Sequence, residues 1–232
     1  MQLTVRQAAE ILKVPEKTVY NWIDAGDIPL HRVGEQVRFS RSEILEWATA
    51  RGIPFATDLF RDQNPNGDDQ PRLLEALVSG GIHRDVGGAD RSEVLRAVVD
   101  RMPIERPGDR DTVYQLLLAR EAMGSTAVGG GIAIPHVRNP VVLHVTEPSL
   151  TLCFLTTAVD YGAVDGRPVD TLFSLVSQNV RAHLHLLALL AGALRDPGFR
   201  AAVNERAPDA GILAEAKRVE AALAAPAAGG PK

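Results

Sequence analysis

Between Thr57 and Pro71 this 232-residue chain is punctuated by polar and turn-forming residues, and from Asn64 to Asp69 it carries almost nothing to bury. The stretch includes Asn64-Pro65-Asn66-Gly67-Asp68-Asp69, a polar and turn-forming run, and such a run cannot recover the entropy lost when a backbone is ordered. Apolar periodicity resumes on both sides. The chain therefore reads as two modules, 1–54 and 72–223, with a linker over 55–71 and an Ala/Pro/Gly tail over 224–232 that is expected to fray.

The bulk numbers narrow the function classes. A net charge of −4 sets up no global basic field, so any nucleic-acid surface has to be local. The single cysteine, Cys153, excludes an internal disulfide framework and a cysteine-rich zinc site. Inside the apolar run Leu150 to Leu155 it reads as a small core residue. No apolar run reaches membrane-span length, and Met1 to Gln7 lacks the apolar core of a signal peptide. Membrane insertion is not expected, and a reducing, bacterial-type cytoplasm is the simplest compartment.

In the first module, Thr4-Val5-Arg6-Gln7 fits a capping box, and Val5, Ala8, Ala9 and Leu12 follow helical spacing. Pro15 suits the opening turn of a second helix through Val19, Trp22 and Ile23, with Gly26 as its stop. Leu30 to Phe39 alternates around Gly34-Glu35-Gln36, the pattern of a small hairpin. Ser40-Arg41-Ser42-Glu43 reads as a second capping box, before a helix that buries Ile44, Leu45, Trp47 and Ala48. This order over residues 1–54 resembles the short winged helix-turn-helix of the excisionase and MerR-like family. The matching residues are Leu3-Thr4-Val5, Ala8-Ala9-Glu10-Ile11-Leu12, Thr18-Val19-Tyr20-Asn21-Trp22-Ile23, Gly26-Asp27-Ile28-Pro29, and Arg32-Val33-Gly34 with Val37-Arg38-Phe39.

That resemblance implies DNA binding. The second helix would enter the major groove with Glu16, Lys17, Thr18, Tyr20 and Asn21, while Arg32, Arg38 and Arg41 would touch the wing side and the backbone. Acidic residues (Glu10, Glu16, Asp24, Asp27, Glu35, Glu43 and Glu46) nearly balance basic ones (Arg6, Lys13, Lys17, Arg32, Arg38, Arg41 and Arg51). A module so nearly neutral gains little from phosphate contacts, which argues for a homodimer on DNA. The alternative is a module that docks protein.

The second module alternates helical and strand-like segments, so its class is α/β. An apolar segment starts at Leu73. Amphipathic helices are expected around Ser92–Val99, capped by Asp90 or Ser92, and over Asp111–Ala122. Strands are expected at Ile132–Ile134, Leu150–Thr156 and Val169–Ser177, and an apolar helix over Arg181–Leu194. Gly129-Gly130-Gly131 is no P-loop, because no Gly-Lys-Ser/Thr follows. The imidazoles of His183 and His185 point about 200° apart on a helix, a poor metal pair. Neither metal nor cofactor is expected.

The string Arg120-Glu121-Ala122-Met123-Gly124-Ser125-Thr126-Ala127-Val128-Gly129-Gly130-Gly131-Ile132-Ala133-Ile134-Pro135-His136 is similar to the signature of the fructose/mannitol/nitrogen-regulatory class of phosphotransferase-system enzyme IIA. The resemblance continues through Asp165-Gly166-Arg167-Pro168-Val169-Asp170-Thr171-Leu172-Phe173 and His183-Leu184-His185-Leu186-Leu187, over roughly 72–223, with the nitrogen-regulatory branch nearest. It implies a mixed β-sheet flanked by helices, of the enzyme IIA type 2 kind. It also implies a phosphoryl-accepting His136, with Arg120 and His183 holding the phosphoryl oxygens. A neutral imidazole is abundant at neutral pH and suits a nucleophile. Main-chain N–H groups of Gly129, Gly130 and Gly131 would approach the anion. His31, His83, His144 and His185 are expected to be structural or surface residues.

Two departures stand out. Gly130 occupies a position where nitrogen-regulatory relatives often carry lysine, and Val137-Arg138 replaces a Gly-Lys or Gly-Arg pair. The joint expectation is a regulatory phosphocarrier that takes a phosphoryl group from a phospho-HPr-type carrier and couples it to DNA binding. A sugar-transport component serving a IIB permease and a non-catalytic protein-binding regulator are the alternatives.

Overall fold

The computed structural model describes residues 2–34, 36–55, 70–137 and 147–224. The head opens with β1 (Gln2–Leu3) and α1 (Val5–Leu12). The Thr4–Gln7 box is formed in both directions: Thr4 Oγ1 accepts from the Gln7 N–H and Gln7 Oε1 accepts from the Thr4 N–H at 2.9 Å. Next come α2 (Glu16–Asp24), the hairpin β2 (His31–Val33) and β3 (Gln36–Ser40), and α3 (Arg41–Ala50). β1 adds to β3, with Leu3 opposite Phe39, which makes a three-stranded wing of order β1-β3-β2. Leu3, Leu12, Val19, Phe39, Ile44 and Leu45 are buried beneath it. Trp47 is half-buried, packs edge-on against Trp22 and donates its indole N–H to the Asp27 carbonyl at 2.7 Å.

The expected second capping box does not form. Ser40 N-caps α3 without a side-chain bond, and its hydroxyl lies 2.8 Å from that of Ser42. Glu43 instead meets His31 Nε2, 2.6 Å away on the wing, so a tertiary partner displaces the local one.

The second module contains α4 (Leu73–Gly80), β4 (Ile82–Val86), α5 (Arg91–Val99), α6 (Pro107–Ala122), β5 (Ala127–Gly129), β6 (Ile132–Ala133), β7 (Ser149–Val159), β8 (Val169–Val176), α7 (Val180–Ala193), α8 (Pro197–Asn204) and α9 (Asp209–Ala224). Asp90 caps α5 by accepting from the Glu93 N–H. α6 begins a turn before Asp111, with Pro107 at its first position. The stretch expected as a linker falls outside the described residues except for Phe55, Gln70 and Pro71, and Phe55 is buried. Of the tail, only Ala224 is described, as the last residue of α9.

The sheet is mixed, as expected, with order β4-β7-β8-β6-β5. β4–β7 and β6–β8 are parallel; β7–β8 and β5–β6 are antiparallel. Alternation on β7 sends Leu150, Leu152 and Phe154 to one face and Cys153 and Leu155 to the other. Helices α4, α7, α8 and α9 cover the first face, where Leu77, Leu190, Phe199 and Ile212 are buried. Helices α5 and α6 cover the second through Val94, Val98, Val113 and Leu117. At Gly80 a Cβ would lie 2.3 Å from the Leu150 carbonyl carbon, so the close seating of α4 on β7 requires glycine. Cys153 is a core residue whose thiol burial pushes up to about 12, far from reactive.

The head does not stand apart from the sheet module. Helix α3 packs against α7 and β5, and the apolar core runs from Leu3 and Phe39 through Leu77 and Leu190 without a break. Phe55 lies under the Arg195 guanidinium, 4.3 Å from ring centroid to Cζ.

Candidate functional site

Where α3 meets the sheet module, four polar side chains from four parts of the chain converge in apolar surroundings: Glu46 on α3, Arg120 on α6, His136 just beyond β6 and His183 on α7. Glu46, His136 and His183 are 7%, 3% and 1% exposed, so whatever they do is done out of bulk water.

Arg120 belongs to the last turn of α6. Its Nη1 donates to the Gly124 carbonyl at 2.9 Å, which satisfies a C-terminal acceptor and the helix dipole. Its Nη2 donates to Glu46 Oε2 at 2.8 Å. The fork thus has one arm for its own helix and one for an anion.

His136 extends the line of β6 and bridges to Leu175 on β8. The preceding Pro135 carbonyl accepts from Leu175 N and from Ser174 Oγ at 3.2 Å, which fixes the backbone at the histidine. The ring's Nδ1 lies 2.7 Å from the Ile134 carbonyl. A carbonyl only accepts, so Nδ1 carries the proton, and in the neutral ring the lone pair is on Nε2. Among the described residues Nε2 has no hydrogen-bond partner, and Glu46 Oε1 lies 3.4 Å from it.

His183 sits in the first turn of α7, where Asn179 caps the helix. Its ring centroid is 5.2 Å from that of His136. Among the described residues, neither ring nitrogen has a hydrogen-bond partner. Burial, reinforced by the neighbouring His136 and partly opposed by Glu46, pushes its pKa down to about 3. His183 is therefore a neutral ring with one N–H available for donation.

The cavity left between these groups is about 20 Å³, room for about one water. Besides Glu46, Arg120 and His136, its walls include Thr49, Ala50, Thr126, Ile134 and Leu187. The glycine run is not part of it. Gly129, Gly130 and Gly131 all have positive φ and turn the chain from β5 into β6. The Gly130 N–H donates to Asp165 Oδ2 at 2.7 Å, so that donor is already engaged. At Gly130 a Cβ would also come within 2.0 Å of the Arg200 guanidinium.

Sequence reasoning brought Arg120, His136 and His183 together and missed Glu46, which it counted among surface acids. One signal was available: Glu46, Thr49 and Ala50 share a helical face with no large side chain beside the carboxylate. The residues expected to face DNA lie elsewhere. On α2, Lys17, Tyr20 and Asn21 are exposed and Thr18 is half-buried. Arg32 is exposed on β2; Arg38, on β3, is half-buried and bonded to Gln36; Arg41 opens α3 half-buried. Of the other histidines, His31 pairs with Glu43, His83 approaches the Gly80 carbonyl and His185 is buried, while His144 lies outside the described residues.

Against known proteins, the phosphoenolpyruvate-dependent sugar phosphotransferase system EIIA 2 family matches residues 77–216, more than half of the chain. The chain belongs to this family. All five strands of the mixed sheet, and Arg120, His136 and His183, fall within the EIIA 2 match, and Glu46 falls within a helix-turn-helix domain match over residues 3–52. The nitrogen regulatory protein of Pseudomonas aeruginosa is 36% identical over 126 residues, 53% of this chain and 80% of that protein. Its counterpart from Klebsiella oxytoca is 39% identical over 137 residues, 56% of this chain and 81% of that one. Among solved structures, PtxA of Streptococcus mutans, described as a candidate PTS IIA, superposes with a TM-score of 0.53 at 17% identity. It covers 65% of this chain and 96% of its own, a likeness of fold. This EIIA 2 protein is thus a nitrogen-regulatory IIA homologue with a helix-turn-helix head, and among its described residues no helix is long and apolar enough to cross a membrane.

Proposed function

We propose that this protein is a regulatory phosphocarrier in which His136 accepts a phosphoryl group from a phospho-HPr-type carrier, and that its head reads DNA. The observation that carries the reading is the state of His136: Nδ1–H is spent on the Ile134 carbonyl, while Nε2 lies 3.4 Å from the Glu46 carboxylate that Arg120 holds, with the His183 ring centroid 5.2 Å from its own. In the transfer, the Nε2 lone pair forms an N–P bond as the donor's N–P bond breaks. The donor ring nitrogen keeps the released electron pair, so no net proton moves. Catalysis is positioning and charge stabilisation. Arg120 Nη2 offsets the phosphoryl charge, and His183 donates one N–H without bringing a second buried positive charge against it. The glycine turn sets the approach of the chain to His136.

The modified histidine gains about −1.5 to −2 of charge, enough to alter contacts between modules. Lys17, Tyr20 and Asn21 on α2 and Arg32 on the wing are exposed for DNA. The near-neutral head makes a homodimer across two half-sites the fitting species. Such a protein would work in the cytoplasm, alongside its carrier. Incubation with a phosphorylated HPr-type carrier followed by mass spectrometry tests the reading. An acid-labile phosphate on wild type that is absent from His136→Ala supports it; no label on wild type refutes it. Gel shifts against competitor DNA at low salt test the head, and no preference for any DNA removes that output.

A further inference from the structure

We infer that Glu46 is a built-in occupant of the phosphoryl subsite, so that docking of the head through α3 and phosphorylation of His136 exclude one another. The inference rests on the proposed phosphocarrier reading. A single carboxylate spans the two groups that a phosphoryl group on His136 would need: Oε2 is 2.8 Å from Arg120 Nη2 and Oε1 is 3.4 Å from His136 Nε2. Like a phosphoryl group, it presents anionic oxygens to the arginine fork. It reaches there from the other module, 74 positions away in sequence from Arg120. A carboxylate in so dry a place is costly unless it is paired, and the pairing comes from the IIA site.

Space and charge both enforce the exclusion. With α3 seated, the cavity of about 20 Å³ holds roughly one water, not a phosphoryl group. His136 is 3% exposed, so a carrier protein cannot bring its phosphohistidine to Nε2. Once Nε2 bears a phosphoryl group, the Glu46 carboxylate would face a buried like charge and Arg120 would have a stronger anion to hold. The head must therefore leave before transfer and cannot return after it. Docking does not cover the DNA-directed surface: Lys17, Tyr20 and Asn21 remain exposed with α3 in place. The switch thus governs how firmly the head is held to the IIA module, not whether its reading helix can be reached.

The test uses the full chain with phosphoramidate as a small phosphoryl donor, so that no carrier need be known. His136 labelling is followed by mass spectrometry, and exchange of α3 amides (Ile44 to Thr49) by hydrogen–deuterium exchange. Glu46→Gln keeps the shape and removes the charge; it should label at least about tenfold faster and lose α3 protection. Glu46→Asp, which keeps the charge, should label closer to the wild-type rate, an ordering that mere misfolding would not produce. Phosphorylated wild type should lose α3 protection as Glu46→Gln does. Equal labelling rates in all three proteins, or α3 protection unchanged by phosphorylation, overturn the inference while leaving the phosphocarrier reading intact. No labelling of His136 in any of them refutes that reading, and the exclusion with it.

Discussion

The head and the IIA module display their charges in different ways. On the head, Arg6 pairs with Glu10 in open solvent, with side chains 77% and 58% exposed, and α2 turns Lys17 and Asn21 outward. In the IIA module, Arg120 and His136 are 11% and 4% exposed at the side chain and meet Glu46, itself 5%. Exposed charges are screened and interact weakly, so they suit a partner that is itself a polyanion. Buried ones are strongly coupled to whatever sits beside them, so a change of charge there is felt as a change of structure. On the proposed reading, the first kind of surface would recognise and the second would switch. Glu46 is the exception that joins them, a head residue under the rules of the buried site.

The comparison can be broken or sharpened by experiment. His136→Ala has the largest expected effect, loss of all acid-labile phosphate to background; a substantial residual label would move the acceptor elsewhere. Next, Arg120→Ala strands the Glu46 carboxylate, and urea unfolding should show a loss of about 3 kcal/mol, the usual cost of breaking a buried pair from one side. Arg6→Ala, at an exposed pair, should stay within about 0.5 kcal/mol. Equal costs would erase the distinction between the two regions.

The pH dependence comes next in size. The depressed pKa of His183, about 3, lies below the ordinary value of 6.5 that it has in the unfolded chain. Above pH 6.5 neither state is protonated there, and the group is neutral in its effect. Below 6.5 the unfolded chain binds a proton that the folded one refuses, so stability falls with pH down to about 3. Between pH 7.5 and 5 the loss should be about 2 kcal/mol, at about 1.36 per unit. His183→Gln should remove that share of the pH dependence, measured as the difference between the two unfolding curves. His136 and Glu46, which face the ring, remain in both proteins. An unchanged pH dependence would show that His183 is not held neutral. A smaller effect than that is expected on DNA: Lys17→Ala should reduce the slope of log affinity against log salt by about 1, with affinity falling by about 1 kcal/mol. No change in slope would place Lys17 away from phosphate.

Much of the fold was legible because its signals are local. The Thr4–Gln7 box, the Asp90 cap, the α2 apolar face and the alternating wing are each contained within a few residues, and each formed. The long apolar runs at 149–159 and 169–176 announced strands buried on both faces. β4 and the pairing of β1 with β3 did not show themselves, since Ile82–Val86 and Gln2–Leu3 are short and gain strand character only from neighbours far along the chain. The Ser40 box was lost for a related reason: His31 offered Glu43 a better partner than the local backbone.

The sequence by itself determined most of the elements and the α/β alternation, because local spacing decides those, while its resemblance to enzyme IIA singled out His136, Arg120 and His183 as candidates. Tertiary structure alone decided that the Gly130 N–H serves Asp165 and that Glu46 lies between Arg120 and His136. The physical reason is the same in both cases. Whether a polar group is buried, and against what, depends on the packing of segments distant in sequence, and only packing separates a solvated acid on a helix from one buried between an arginine and a histidine.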